Sequence, residues 1–152
     1  MKHYLLTNQE AARTGCTDLF VVTEADFTAT SGGNETITLC SLAIGDVISN
    51  VIVDMVTPFA HGNSGTTLDV GYTDDIDCFI DGVNVQAAAN VAYAQGDGSG
   101  AAATAIGIAA ASKNLQAKII LTTTTDVSSM TAGEIRIYAK IAKAGDRQSV
   151  QA

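Results

Sequence analysis

From Glu134 to Ile141 the chain alternates without a break. Ile135, Ile137, Ala139 and Ile141 fall on one side, and Glu134, Arg136, Tyr138 and Lys140 on the other. Period two is the geometry of a pleated strand with one buried face, and a helix does not satisfy it. The same reading extends backwards along the chain. Phe20, Val21, Val22 and Phe27 with their interspersed threonines suit a half-buried pleated surface. Ile37 and Leu39 alternate with Thr36 and Thr38, after a turn at residues 31–34. Residues 47–56 are mostly β-branched or apolar and read as a central strand buried on both faces, ended by Pro58, which cannot donate to a ladder. After a tight loop at residues 61–65, residues 66–72 read as the returning arm of a hairpin.

The remaining segments carry weaker signals. Residues 74–81 read as an acidic connector, 82–94 as a short strand or helical turn, 101–111 as a weak alanine-rich strand and 116–125 as a strand. About eight short strands at this spacing predict an all-β fold, an antiparallel β-sandwich of jelly-roll-like arrangement. Residues 1–17 show no clear period and are expected to form an N-terminal arm or short docked helix, with strands beginning near Leu19. Residues 18–143 then form the sandwich and 144–152 a polar tail.

Composition narrows the function classes. The 152 residues fit one domain with its own core. Formal net charge is −8, and Lys113, Lys118, Arg136, Lys140, Lys143 and Arg147 are scattered rather than clustered. Nucleic acid and anionic membranes are therefore not expected partners, since both are held by basic patches. Charged residues are 16% of the chain, below the usual share of about 25%. That is expected either of a surface partly covered by other protein or of a threonine-rich and alanine-rich solvent face. Cys16, Cys40 and Cys78 are odd in number and form no CxxC pair, which fits synthesis in a reducing cytosol. No apolar run reaches the length of a membrane helix, and the first ten residues lack the apolar core of a signal peptide.

Candidate chemistry is sparse. Asp69, Asp74, Asp75, Asp77 and Asp81 supply oxygen ligands of the sort calcium takes, but without EF-hand spacing or a closing glutamate. They read as a solvated loop, or as a surface that meets basic residues of a partner. His61 near Ser64 invites a Ser-His pairing, yet no nucleophile elbow is present. His3, Cys16 and Cys40 lack a zinc spacing. The glycine-rich residues 96–100 lack a P-loop lysine. No cofactor, metal or small-molecule substrate is expected, and no enzymatic activity. Tyr4, Leu5 and Leu6 place apolar surface on the arm, where a partner is expected to cover it. With Asp74, Asp75 and Asp77 they are the candidate partner-binding residues.

Three segments carry a resemblance. A strand ends in Val56-Thr57-Pro58-Phe59, continues with Leu68-Asp69-Val70-Gly71, and leads into Asp74-Asp75-Ile76-Asp77-Cys78-Phe79; Ala132 to Tyr138 adds the later strand. Over roughly residues 19–142 this pattern resembles small head structural proteins of tailed bacteriophages, among them capsid cement and decoration proteins. The resemblance implies a virion protein made in the host cytoplasm and placed on the capsid surface. It implies the major capsid protein as partner and a homotrimer as the assembled state, and it brings no catalytic residues. A virion-surface adhesin or carbohydrate-binding module is the alternative, disfavoured by 5% aromatic residues and the absence of Trp.

Overall fold

The computed structural model describes residues 1–62, 65–86, 89–96, 105–109, 111–122 and 126–145. Among these residues the strands are β1 (Lys2–Leu5), β2 (Asp18–Thr23), β3 (Asn34–Leu42), β4 (Val47–Ala60) and β5 (Thr66–Tyr72). They continue as β6 (Asp75–Asn84), β7 (Val91–Ala94), β8 (Ile106–Gly107), β9 (Lys113–Leu121) and β10 (Ala132–Ala142). One helix, α1 (Asn8–Thr14), lies between β1 and β2.

The pairing pattern defines the fold. β2 pairs with β10, β3 with β9, β4 with β7 and β5 with β6, all antiparallel. First therefore meets last in a long ribbon that is rolled up. Two further pairings, β10 with β4 and β9 with β5, close the roll into two sheets of order β1-β2-β10-β4-β7 and β3-β9-β5-β6, with β8 added beside β4. This is jelly-roll connectivity, as the strand count and spacing predicted.

The core lies between the sheets. β4 and β10 contribute Ile48, Val51, Val53, Met55, Ile135, Ile137 and Ile141; β5 and β9 answer with Leu68, Val70, Leu115, Ala117 and Ile119. All four phenylalanines are buried here, with Phe27 meeting Phe59 edge-on at 6.0 Å between centroids. In β10, Ile135, Ile137, Ala139 and Ile141 face inward and the polar set outward, as the alternation predicted.

Several local expectations are corrected. β4 is not buried on both faces: Ile48, Val51, Val53, Met55 and Phe59 are inside, while Ile52, Asp54 and Val56 are only half-buried. Pro58 does not end the strand. Ala60 pairs with Ala132 and Thr57 with Glu134, so Pro58 sits in a bulge where no ladder donor is required. β4 and β5 are not a hairpin, because they belong to different sheets. Residues 75–81 are strand, not connector. The weak strand at residues 101–111 reduces to Ile106–Gly107; positions 101–104 and 110 lie outside the described residues, as do 123–125 and most of the polar tail. Strand structure also begins before Leu19, since β1 pairs with β2.

Glycine is required where backbones come closest. A Cβ on Gly133 would lie 2.3 Å from the Phe59 ring, so only glycine fits on β10 opposite the β4 bulge. At Gly71 a Cβ would meet the Asp75 carbonyl oxygen at 2.1 Å. The exit of β10 is tied by Asp46 in the β3–β4 turn. Its carboxylate accepts from the amides of Ala43 at 3.0 Å and Ala144 at 2.9 Å and from Lys143 Nζ at 3.1 Å. Burial is the largest single influence on this carboxyl and opposes its ionisation. The two amides and the Lys143 ammonium together outweigh burial and hold it below the usual carboxylate range.

Two outcomes follow for stability. Ile137→Ala removes a fully buried side chain from the centre of the larger sheet and should cost about 2–5 kcal/mol in urea unfolding; unchanged melting would mean that Ile137 does not face the core. Asp46→Asn should be destabilising by about 1–3 kcal/mol at neutral pH. Because the folded carboxyl titrates lower than the unfolded one, its contribution is present above about pH 4 and is lost as pH falls through the folded value. The gap between wild type and Asp46→Asn should therefore close progressively below about pH 4. An equal gap at pH 7 and pH 3 would contradict this account.

Candidate functional site

The N-terminal segment joins the larger sheet as its outermost strand. Lys2 pairs with Val21, His3 with Phe20, Tyr4 with Leu19 and Leu5 with Asp18. His3 fixes it: the imidazole stacks on Phe20 at 4.4 Å, and Nε2 lies 2.8 Å from Asp18 Oδ1. Asp18 is almost wholly buried, and its other oxygen accepts from the Thr17 hydroxyl at 2.6 Å. The edge strand is thus pinned through a buried carboxylate.

α1 follows at once and is shaped by its ends. Thr7 caps it and Glu10 reaches back, a capping box, and Gly15 closes it in the left-handed conformation at φ 71°. The Thr7 hydroxyl and then its amide hold the Glu10 carboxyl below the usual range. Yet α1 buries none of its side chains. Helices this short draw most of their stability from packing, and here only Ala11 and Thr14 are even half-buried.

Between α1 and the sheet lies a groove lined by Tyr4, Leu5, Leu6, Leu19 and Val21, with Glu10 and Arg136 also in its wall. The three sequence-predicted residues Tyr4, Leu5 and Leu6 are therefore brought together. Exposed large apolar side chains concentrate here: Met1, Tyr4 at 48% and Leu5 at 78% exposure, with Ile44 elsewhere. The groove opens onto a row that crosses the outer face. Tyr4, Leu19, Tyr138, Ile52 and Ala94 are successive cross-strand partners, and none of them is buried. The next row is Lys2, Val21, Arg136, Asp54 and Ala92. Leu19, Val21 and Arg136 enter the site by strand pairing and were not marked from sequence. Their common signal is the outward half of the alternation in β2 and β10.

Asp74, Asp75 and Asp77 lie elsewhere, at the turn joining β5 to β6, on the edge strand of the smaller sheet. Asp74 pairs with Lys113. Asp75 is held above the usual carboxylate range, first by its hydrogen bond to Asp77 and then by burial. Asp69 is separated from them: it sits across from Lys118, accepts from the Gly82 amide at 2.9 Å and is shifted up chiefly by burial. Among the described residues no three His, Cys, Asp or Glu side chains gather as metal ligands.

His61 meets Ser129, with Nε2 2.9 Å from the hydroxyl; Ser64 lies outside the described residues. Ser129 donates to the Asp126 carbonyl. Its single proton is then committed, and the imidazole donates to the serine oxygen rather than accepting from it. Burial pushes the thiols of Cys40 and Cys78 up to about 11 and about 12, so neither is an activated nucleophile.

No family model matches the chain, and no curated protein does. Solved structures do align with it. A chain of the cyanophage Pam1 capsid asymmetric unit aligns over 82% of this chain and 81% of its own length, at 15% identity and a TM-score of 0.57. The acid-stable capsid of Helicobacter pylori bacteriophage KHP30 aligns over 82% and 93%, at 16% identity and a TM-score of 0.45. The C-terminal domain of EclA, described as a sugar-binding protein, aligns over 81% and 77%, at 11% identity and a TM-score of 0.37. At such identities the Pam1 likeness carries the fold.

The edge separates residues that hold it from residues that it displays. His3→Ala leaves the buried Asp18 without its imidazole partner and should cost about 1–3 kcal/mol in urea unfolding. Leu5→Ser should change stability by less than about 0.5 kcal/mol. Equal losses for the two would show that Leu5 is packed in solution and not displayed.

Proposed function

We propose that this chain is a structural virion protein of a tailed phage, a cement protein that sits on the outside of the capsid and joins neighbouring major capsid protein subunits. The observation that carries this reading is a jelly roll shared over four-fifths of its length with a chain of the Pam1 capsid. The surface supports it. Uncovered apolar side chains gather at one edge, beside a helix none of whose residues is fully buried. Many copies on one shell act together, so each contact can be modest. A homotrimer is the assembled form in this reading. Nucleic acid, membrane, cofactor and small-molecule substrate have no part in it, and the role is not enzymatic. An adhesin would need an exposed aromatic platform, and among the described residues every aromatic side chain other than Tyr4 and His3 is buried or half-buried.

The test is decoration of heads. Heads from a phage deleted for this protein should take up the purified chain to saturation and gain resistance to heat. The Tyr4→Ser/Leu5→Ser variant should melt like wild type and occupy the heads at least about tenfold more weakly, since both side chains are displayed and not packed. Co-purification with tails or fibres instead of heads, or no uptake by heads, would refute the reading.

A further inference from the structure

We infer that a proton-dependent latch holds the β1–α1 segment to the roll: His3 clamps the edge strand onto buried Asp18 while its imidazole is charged, and loosens it as rising pH removes the proton. Successive side chains of β1 alternate in side, so Lys2 and Tyr4 face outward while His3 lies against Phe20. His3 Nε2 stands 2.8 Å from Asp18 Oδ1. The carboxylate is 4% exposed, and its other oxygen has the Thr17 hydroxyl at 2.6 Å. A buried carboxylate met only by a hydroxyl and a neutral ring keeps an uncompensated charge. An imidazolium supplies the missing cation, in a charge-assisted bond roughly twice as strong as a neutral one. The Phe20 ring, stacked 4.4 Å away, also attracts positive charge to its face. Histidine is the side chain whose charge changes between about pH 5 and 8.

Little else holds this segment. β1 is four residues long and exposed throughout, and no residue of α1 is fully buried. The other ties are the β1–β2 pairings, the Leu6 amide donating to the Thr17 carbonyl at 2.8 Å, and the Met1 amine on Asp26. The thiols of Cys16 and of Cys40 on β3 lie within reach of the Asp18 charge, and burial pushes both up, so they stay neutral in this range. Lys140 acts on Cys16, and Lys143 and Asp46 on Cys40. Glu10 and Arg136 stand in the groove, on the Tyr4 side of β1. Among the described residues Asp18 forms no ion pair except with His3. His3 is therefore the group whose titration switches the charge opposite Asp18. Tyr4, Leu5 and Leu6 ride on the latched segment, so the groove loses that wall when β1 lifts. The inference does not rest on the virion reading.

The experiment is amide hydrogen exchange on the full chain, normalised for the intrinsic pH dependence of the chemical step, which reads local opening of residues 2–6. The His3 side chain is 38% exposed, so solvent screens part of the gain. In wild type these amides should still be at least about threefold better protected at about pH 5.5 than at about pH 8. That ratio should exceed the one shown by the amides of β4 and β10. His3→Gln keeps an amide donor for Asp18 but cannot be charged, and its protection should stay near the wild-type level of about pH 8 at both values. Wild-type protection that is flat, that rises with pH, or that only follows β4 and β10 would overturn the inference, and wild type decides this even where the variant does not fold. A folded His3→Gln protein with the wild-type pH dependence would overturn it too, because the Met1 amine or another group would then be the switch.

Discussion

The last strand sits in the middle of the larger sheet, and the rest of the molecule depends on it. β10 lies between β2 and β4, so the roll is closed only when the end of the chain returns to a site framed by its beginning and its middle. Its register against β4 is set by bulges, with Gly133 fitted against the Phe59 ring. A slip of one residue would turn Ile135, Ile137 and Ile141 to water. The effect reaches the edge strand. The Ile141 amide donates to the Thr17 hydroxyl at 2.9 Å across 124 positions of sequence; that hydroxyl donates to Asp18, and Asp18 holds His3. Pairings this distant in sequence form late, because loop closure must precede the reward.

What was legible in the sequence follows from how one-sided each strand is. β10 has an apolar inner face and a polar outer one, so its alternation stands out. β4 hides its period because Val47, Ile52 and Val56 lie on the outer half of the strand, where apolar residues blur the contrast. β6 was hidden by composition, since aspartate is depleted in strands; here the aspartates project from an edge strand. β1 left no trace at all. Four residues exposed on both faces carry no period, and only the partner β2 makes them a strand. The apparent β4–β5 hairpin shows the same limit. A turn in sequence says that the chain reverses, not which sheet it reverses into. The groove was half legible for that reason: Tyr4, Leu5 and Leu6 are neighbours in the chain, while Leu19, Val21 and Arg136 arrive by pairing.

The two outer faces of the sandwich are chemically unlike, and this asymmetry bears most directly on function. On the smaller sheet, Asp69, Lys118 and Thr36 align across three strands, with Gln116 opposite Thr38 in the next row. This row is polar throughout, with Asp69 itself buried beside Lys118. On the larger sheet the corresponding line runs from Tyr4 through Leu19 and Tyr138 to Ile52. The larger sheet therefore sets this uncharged row beside the charged row of Lys2, Arg136 and Asp54.

The jelly roll leaves that face free to vary without weakening the core. Every strand of the closed roll sends one set of side chains inward, and the inward set alone supplies the packed interior. β1 and α1 lie outside the roll, attached through His3 and Asp18 at one edge. Changes there alter what the molecule displays while the pairings that close the roll stay as they are. Variation at an edge strand and its helix is therefore the least costly route by which this fold can acquire a partner, and it is at this edge that the chain has placed most of its uncovered large apolar side chains.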